Sequence, residues 1–174
     1  MSDIFVSIRE ELARDVEAVR ALLKLSFGQE GEAELVDRLR TSDSFNPRLS
    51  LVADIAGEVV GHVLFNPVTI ESEDSHVAAL SLAPLAVRPD HQREGIGQLL
   101  SLRGFDVARS LGYRIIVVVG HPRYYPRLGF VSALPRGICD PSAHRAEASM
   151  VMSLAEGALD GIRGQVMYPP AFQE

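Results

Sequence analysis

The chain reads as a mixed α/β (α+β) fold, a mostly antiparallel sheet set between helices. Three stretches predict it. Residues 49–68 hold two apolar runs joined by a turn, the pattern of a hairpin. Residues 80–119 read as strand, helix and strand, the crossover that a parallel strand pair requires. Residues 148–154 and 165–168 read as further short strands. No repeat, low-complexity tract or linker interrupts the 174 residues, a length suited to one domain with a substantial core.

Taken in order, Ile4, Val6 and Ile8 alternate as a half-buried strand. Leu12, Val16, Val19, Leu22 and Leu23 recur at helical spacing, with Gly28 placed as a C-terminal cap. Leu35, Val36 and Leu39 fit a second short helix after the acidic run Glu30-Gly31-Glu32-Ala33-Glu34. The hairpin follows, turning at Ala56-Gly57-Glu58, and Glu71 to Ser75 is a polar turn into the strand ending at Val87. Pro84 lies inside that strand and cannot donate to a ladder, so the strand is either bulged and splayed there or an edge strand. The next helix sets Ile96, Leu99, Leu100, Val107, Ala108 and Leu111 on one face and stops near Gly112. Tyr113 to Val119 is apolar on both faces, as a buried parallel strand is. This order places a helix N-terminus at the carboxyl end of a strand, where ligands of α/β sheets bind.

Composition excludes several classes. The formal charge of −6 argues against a nucleic-acid partner and slightly favours a cationic acceptor. No apolar run approaches the ~20 residues of a membrane span, and the N-terminus lacks the basic and apolar regions of a signal peptide. The single cysteine, Cys139, cannot form an internal disulfide, which fits a cytoplasmic setting; it is read as a loop residue. The five histidines never fall at metal-ligand spacing with a carboxylate or cysteine, so no metal is expected. No serine sits in a Gly-x-Ser-x-Gly elbow.

Chemistry concentrates in Leu80 to Leu100. After the strand breaks at Arg88-Pro89-Asp90, Gln92-Arg93-Glu94-Gly95-Ile96-Gly97 leads into a helix. Two glycines let successive backbone N–H groups converge, and the helix adds its positive end, which together make a phosphate nest. A dinucleotide fingerprint needs a third glycine where Leu100 stands, and a P-loop needs a Gly-Lys-Ser/Thr that is absent. On the residues alone the choice lies between a tight turn and such a nest.

Val87-x-Pro89-x-x-Gln92-x-x-Gly95-x-Gly97 resembles the acyl-CoA-binding motif of the GCN5-related N-acetyltransferases at every fixed position. The resemblance implies an acyl-CoA N-acyltransferase fold with a splayed parallel strand pair, a single N-acetyltransferase domain over residues 1–174, and acetyl-CoA as co-substrate. It further implies that backbone groups of Leu85, Ala86 and Val87 meet the pantetheine arm and polarise the thioester. Gln92, Arg93, Glu94, Gly95, Ile96 and Gly97 would then hold the pyrophosphate, with charge from Arg93 and Arg88.

A second segment, Tyr125-x-x-x-Gly129-Phe130, is similar to one in the same family, where the tyrosine faces the CoA sulfur as general acid. A short helix from Pro122, interrupted by Pro126 and ended by Gly129 in a left-handed turn, would carry the ring. The competing reading makes Tyr125 a core residue anchoring Phe130. Many family members place an asparagine at the end of the preceding strand; here that stretch is Val118-Val119-Gly120-His121, and whether His121 replaces it stays open. The form Gly-His-Pro-x-Tyr-Tyr-Pro-Arg-x-Gly-Phe looks like the YhbS-type branch of the superfamily.

These implications make the chain an N-acetyltransferase that moves an acetyl group to a primary amine of an unidentified small-molecule or peptide acceptor by direct attack. The alternative is a non-catalytic acyl-CoA-binding or sensing domain of the same fold. Glu30, Glu32 and Glu34 are either a solvated helix start or an acidic lip that attracts the amine. No nucleic acid or membrane partner is expected, and a homodimer is left open.

Overall fold

The computed structural model describes residues 5–173, so the expected strand residue Ile4 lies outside the described part. The fold is mixed α/β, with helices flanking a mixed sheet. Its residues group into two compact units, the first formed by residues up to Phe65 and Pro84–Val107, the second by Asn66–Ala83 and the residues from Ala108 on.

In the first unit, β1 (Ser7–Glu10), β2 (Ser50–Ile55) and the first half of β3 (Glu58–Glu71) pair antiparallel. The β2–β3 turn is tighter than the sequence suggests: Ile55 pairs with Glu58, leaving Ala56 and Gly57 as a two-residue turn, both at positive φ (51° and 89°). Ser50 to Ala53 are all buried, so β2 is covered on both faces and does not alternate. Helix α1 (Val16–Phe27) buries Val19, Leu22 and Leu23 and ends at Gly28 in the left-handed region (φ 68°), as its sequence requires. A 3₁₀ turn over Ala13–Asp15 precedes it, which leaves the expected helix residue Leu12 outside and exposed. Helix α2 (Gly31–Arg40) starts inside the acidic run, so Glu32 and Glu34 occupy its first turn, favourable for the dipole.

β4 (His76–Val87) follows the turn closed by Ser72 N–H to Ser75 O (2.9 Å). At the far end of the same pair Arg88 N–H donates to Val60 O (2.8 Å). Between these bonds the chain advances 12 positions from Val60 to Ser72 and 13 positions from Ser75 to Arg88. One extra residue on β4 is what a β-bulge adds, and Pro84 lies in that stretch. In α3 (Ile96–Ser110) the buried positions are Ile96, Leu100, Ser101, Gly104, Phe105 and Ala108. Leu99, expected on that face, is exposed, because the inward stripe follows Gly104 and Phe105 instead.

In the second unit β4 pairs parallel with β5 (Ile115–Val119) at Leu80↔Ile116 and Ser81↔Val117, and β5 pairs antiparallel with β8 (Ser149–Ser153). The short β6 (Val131–Ser132) also pairs with β8. A second parallel pair, unforeseen in the sequence, joins β7 (Ile138–Cys139) to β9 (Gly164–Met167), which also pairs with β3. Cys139 therefore sits in a two-residue strand rather than a loop. Val68, Ile70, Ile115, Val117, Val151 and Val166 lead the core of this unit. Among the described residues no helix is long and apolar enough to cross a membrane.

Candidate active site

The nest candidate belongs to the first unit. Arg93 stands at φ 66°, uncommon for a residue with a β-carbon, and Gly95 at φ 85°. Leu99 N–H to Gly95 O (3.1 Å) is the first bond of α3, so the N–H groups just before it lack an intrahelical partner. Helix start and left-handed residues thus meet where the motif places them. Gln92, Arg93, Glu94 and Gly95 are exposed, while the Ile96 side chain is buried and packs beside Gly61. Ile96 can therefore offer a ligand only its backbone.

The other side chains of the loop hold it in place. Gln92 Nε2 donates to Val87 O (3.0 Å), a carbonyl that also accepts from Ser26 Oγ (3.2 Å), so loop and α1 are both tied to the strand end. Glu94 Oε2 meets His91 Nδ1 at 3.0 Å. Arg88 is not free for an anion: its guanidinium donates to Asp90 (2.7 and 3.2 Å) and reaches Glu58 (3.5 Å). Those hydrogen bonds raise the Arg88 pKa and hold the Asp90 carboxyl below its ordinary value. Arg93 is left as the motif's available cation. Ala86 is buried, and Leu85 and Val87 are half-buried, at the end of β4.

Tyr125 belongs to the second unit. It opens a 3₁₀ turn over Tyr125–Leu128, not a helix from Pro122, and Pro126 falls in the first turn, where the missing N–H costs nothing. Gly129 ends the turn at φ 108°. The ring meets Tyr124 and Phe130 edge-on, with centroids 5.0 and 5.5 Å away. Burial raises the Tyr125 hydroxyl well above the ordinary phenol value, which keeps its proton on at neutral pH. His121 uses Nδ1 to accept the Arg123 N–H (3.2 Å), so that nitrogen is spent on the local turn.

Two glutamates of the acidic run are locally partnered: Glu30 pairs with Lys24 (3.2 Å) and Glu32 accepts from Gln29 (3.0 and 3.1 Å). Two polar clusters escaped sequence reading. In the first unit, fully buried His62 brings Nε2 within 3.1 Å of both Ser50 Oγ and Glu11 Oε2, while Arg40 Nε donates to Glu11 (2.6 Å). In the second, Tyr168 donates to buried Asp140 (2.5 Å). Their members come from distant elements, and no short motif marks them.

The comparisons with known proteins agree on one family. The acetyltransferase (GNAT) family model matches residues 16–130. The uncharacterized N-acetyltransferase YhbS of Escherichia coli (strain K12) is 34% identical over 165 residues, 95% of this chain and 97% of that one. The uncharacterized N-acetyltransferase YjhQ of the same strain is 40% identical over 116 residues, 67% of this chain and 64% of that one. The crystal structure of Escherichia coli YhbS in complex with CoA superposes with a TM-score of 0.91 at 32% identity, covering 100% of this chain and 95% of that one. A GNAT family acetyltransferase from Brucella melitensis, in complex with acetyl-CoA, gives 0.79 at 30% identity, covering 97% and 99%. With both motifs inside the matched span, this chain belongs to the acetyltransferase (GNAT) family.

Proposed function

We propose that the chain transfers an acetyl group from acetyl-CoA to a primary amine by direct attack. The observation that carries this reading is the Arg93–Gly95 left-handed pair opening α3, joined to the CoA and acetyl-CoA complexes of the two similar structures. The family match draws on residues of both units, which supports reading residues 1–174 as one transferase domain.

In this mechanism the Gln92–Gly97 backbone and the Arg93 guanidinium hold the pyrophosphate. Backbone N–H groups of Leu85, Ala86 and Val87 stabilise the negative charge that develops on the thioester oxygen. The amine must first lose its proton, since an ammonium of pKa ~10.4 has no lone pair. Its nitrogen then bonds to the acyl carbon and the C–S bond breaks. Tyr125 donates its proton to the departing sulfur, and its oxygen takes back the one that the nitrogen sheds on becoming an amide, so the phenol is regenerated. Raised above ~10, the phenol is a weaker acid than a thiol of ~8.5, so its proton moves only as the C–S bond breaks. The acceptor is a small molecule or a peptide bearing an amine.

The test is CoA release with a panel of amino acids, polyamines, aminoglycosides and peptides, run beside a thermal-shift titration with acetyl-CoA. Release with at least one amine is expected. Stabilisation by acetyl-CoA with no release from any amine would identify an acyl-CoA-binding domain instead.

A further inference from the structure

In the last turn of α1, Leu25 and Phe27 are exposed and Ser26 is half-buried, so the side chain turned inward there is a hydroxyl. A helical serine commonly bonds a carbonyl of its own preceding turn. Ser26 Oγ instead donates to Val87 O (3.2 Å), 61 positions away at the end of β4. The same oxygen accepts from Gln92 Nε2 (3.0 Å). A carbonyl oxygen has two lone pairs, and these two donors use both, so Val87 O is committed within the protein. Arg88 N–H donates to Val60 O (2.8 Å), so by strand alternation the Val87 carbonyl faces away from β3.

This junction holds the part of the loop least able to hold itself. Arg93 follows Gln92 directly at φ 66°, and Gly95 comes two residues later at φ 85°. A left-handed residue with a β-carbon is costly and persists only where its surroundings fix it. The other ties here are short-range, His91 to Glu94 (3.0 Å) and Arg88 to Asp90 (2.7 Å). The path from Gln92 through Val87 O to Ser26 reaches a helix, and Val19, Leu22 and Leu23 bury that helix in the core. A nest set in its binding geometry before the ligand arrives loses less entropy on binding, which raises affinity.

We propose that Ser26 is a positioning residue for acyl-CoA: from outside the Val87–Gly97 motif it fixes the Val87–Gln92 junction and so presets the pyrophosphate nest. The inference rests on the reading above that acyl-CoA is held at Gln92–Gly97. Ser26 touches no cofactor atom in this role and acts through Val87 O and Gln92. Its effect therefore falls on acetyl-CoA affinity, while the chemical step at saturation proceeds as before. Nothing in the spacing of the motif points to residue 26, which the fold alone brings to the end of β4.

The experiment measures Kd for acetyl-CoA by calorimetric titration, and kcat and KM with the best amine, in wild type, Ser26→Ala, Ser26→Thr, Gln92→Ala and the Ser26→Ala/Gln92→Ala double variant. Ser26→Ala should bind acetyl-CoA about 3- to 10-fold more weakly, the worth of one such hydrogen bond, with kcat and the amine KM unchanged. Ser26→Thr keeps the hydroxyl and should recover most of the affinity. Once Gln92→Ala has freed the loop from Val87, removing the Ser26 hydroxyl should weaken binding little further, so the two losses are not additive. Wild-type affinity in Ser26→Ala, with or without a lower Tm, overturns the role of Ser26 alone, as do strictly additive losses or an equal loss in Ser26→Thr. Binding by wild type with no CoA release from any amine overturns the transferase reading, and the Kd values still decide Ser26. No binding of acetyl-CoA by wild type overturns both.

Discussion

Tyr125 lies against Gly120 so closely that a β-carbon on Gly120 would fall 2.3 Å from Tyr125 Cε2 and 3.0 Å from Cδ2. With Tyr124 and Phe130 edge-on to the same ring, the orientation of the phenol is fixed from three directions. The absence of a side chain at 120 is thus part of how Tyr125 is aimed.

Two variants separate that aim from the chemistry. Tyr125→Phe keeps the ring and should lower kcat by ~10² to 10⁴-fold with acetyl-CoA affinity close to wild type. Gly120→Ala should produce a comparable loss by displacing the ring, again with acetyl-CoA thermal protection retained. Unchanged kcat in Tyr125→Phe, measured where chemistry limits the rate, would remove Tyr125 from the mechanism.

The nest makes an unusual prediction at Arg93. Because Arg93 sits at φ 66°, Arg93→Gly relieves a backbone cost of roughly 1 kcal/mol and should leave the apo protein as stable or more so. The same change removes the motif's available cation, so acetyl-CoA should bind more weakly and with less salt dependence. Gly97→Val should crowd the backbone there and shrink acetyl-CoA protection against heating. Protection equal to wild type in both folded variants would argue that the loop does not bind the cofactor.

Stability should fall on acidification through the Glu11–His62 cluster. Burial lowers the His62 pKa below 6.5, so beneath about pH 6.5 the unfolded chain binds a proton that folded His62 does not, and folding weakens. For Glu11, burial pushes the carboxyl up, but hydrogen bonds from His62 and Arg40 outweigh it and hold the pKa at about 2, below the ordinary 4.5. Its contribution is therefore present above 4.5 and is lost as pH falls toward 2. His62→Gln should flatten the dependence of Tm on pH between about 7 and about 5; an unaltered slope there would mean that other groups set it.

Gly104 is a packing requirement inside a helix. A β-carbon there would come 2.1 Å from Phe65 Cε2, and the Phe65 ring is also held edge-on by Phe105 at 6.2 Å. Gly104→Ala would gain ~1 kcal/mol of helix propensity yet should lose about 1–3 kcal/mol or more to overpacking. Tm should drop by several degrees, and a rise would show that Phe65 moves aside freely.

Local chemistry made much of this molecule readable from its residues. Gly28 and Gly129 end their helical turns at positive φ because only glycine does so without cost, and the valine and isoleucine run before Gly120 could only be a buried strand. The Gln92–Gly97 spacing fixed the loop for the same reason, since its geometry is written in consecutive backbone dihedrals. What tertiary structure decided was every relationship between distant residues. Arg88 was withdrawn from the nest by Asp90 and Glu58, the second of which lies 30 positions away. Leu99 was turned outward because Gly104 and Phe105 meet Phe65. The clusters around His62 and Asp140 gather side chains from separate elements and the loops beside them, held by hydrogen bonds strengthened where burial removes water as their competitor. Periodicity and turn chemistry report neighbours along the chain, whereas burial, charge pairing and proton paths depend on neighbours in space.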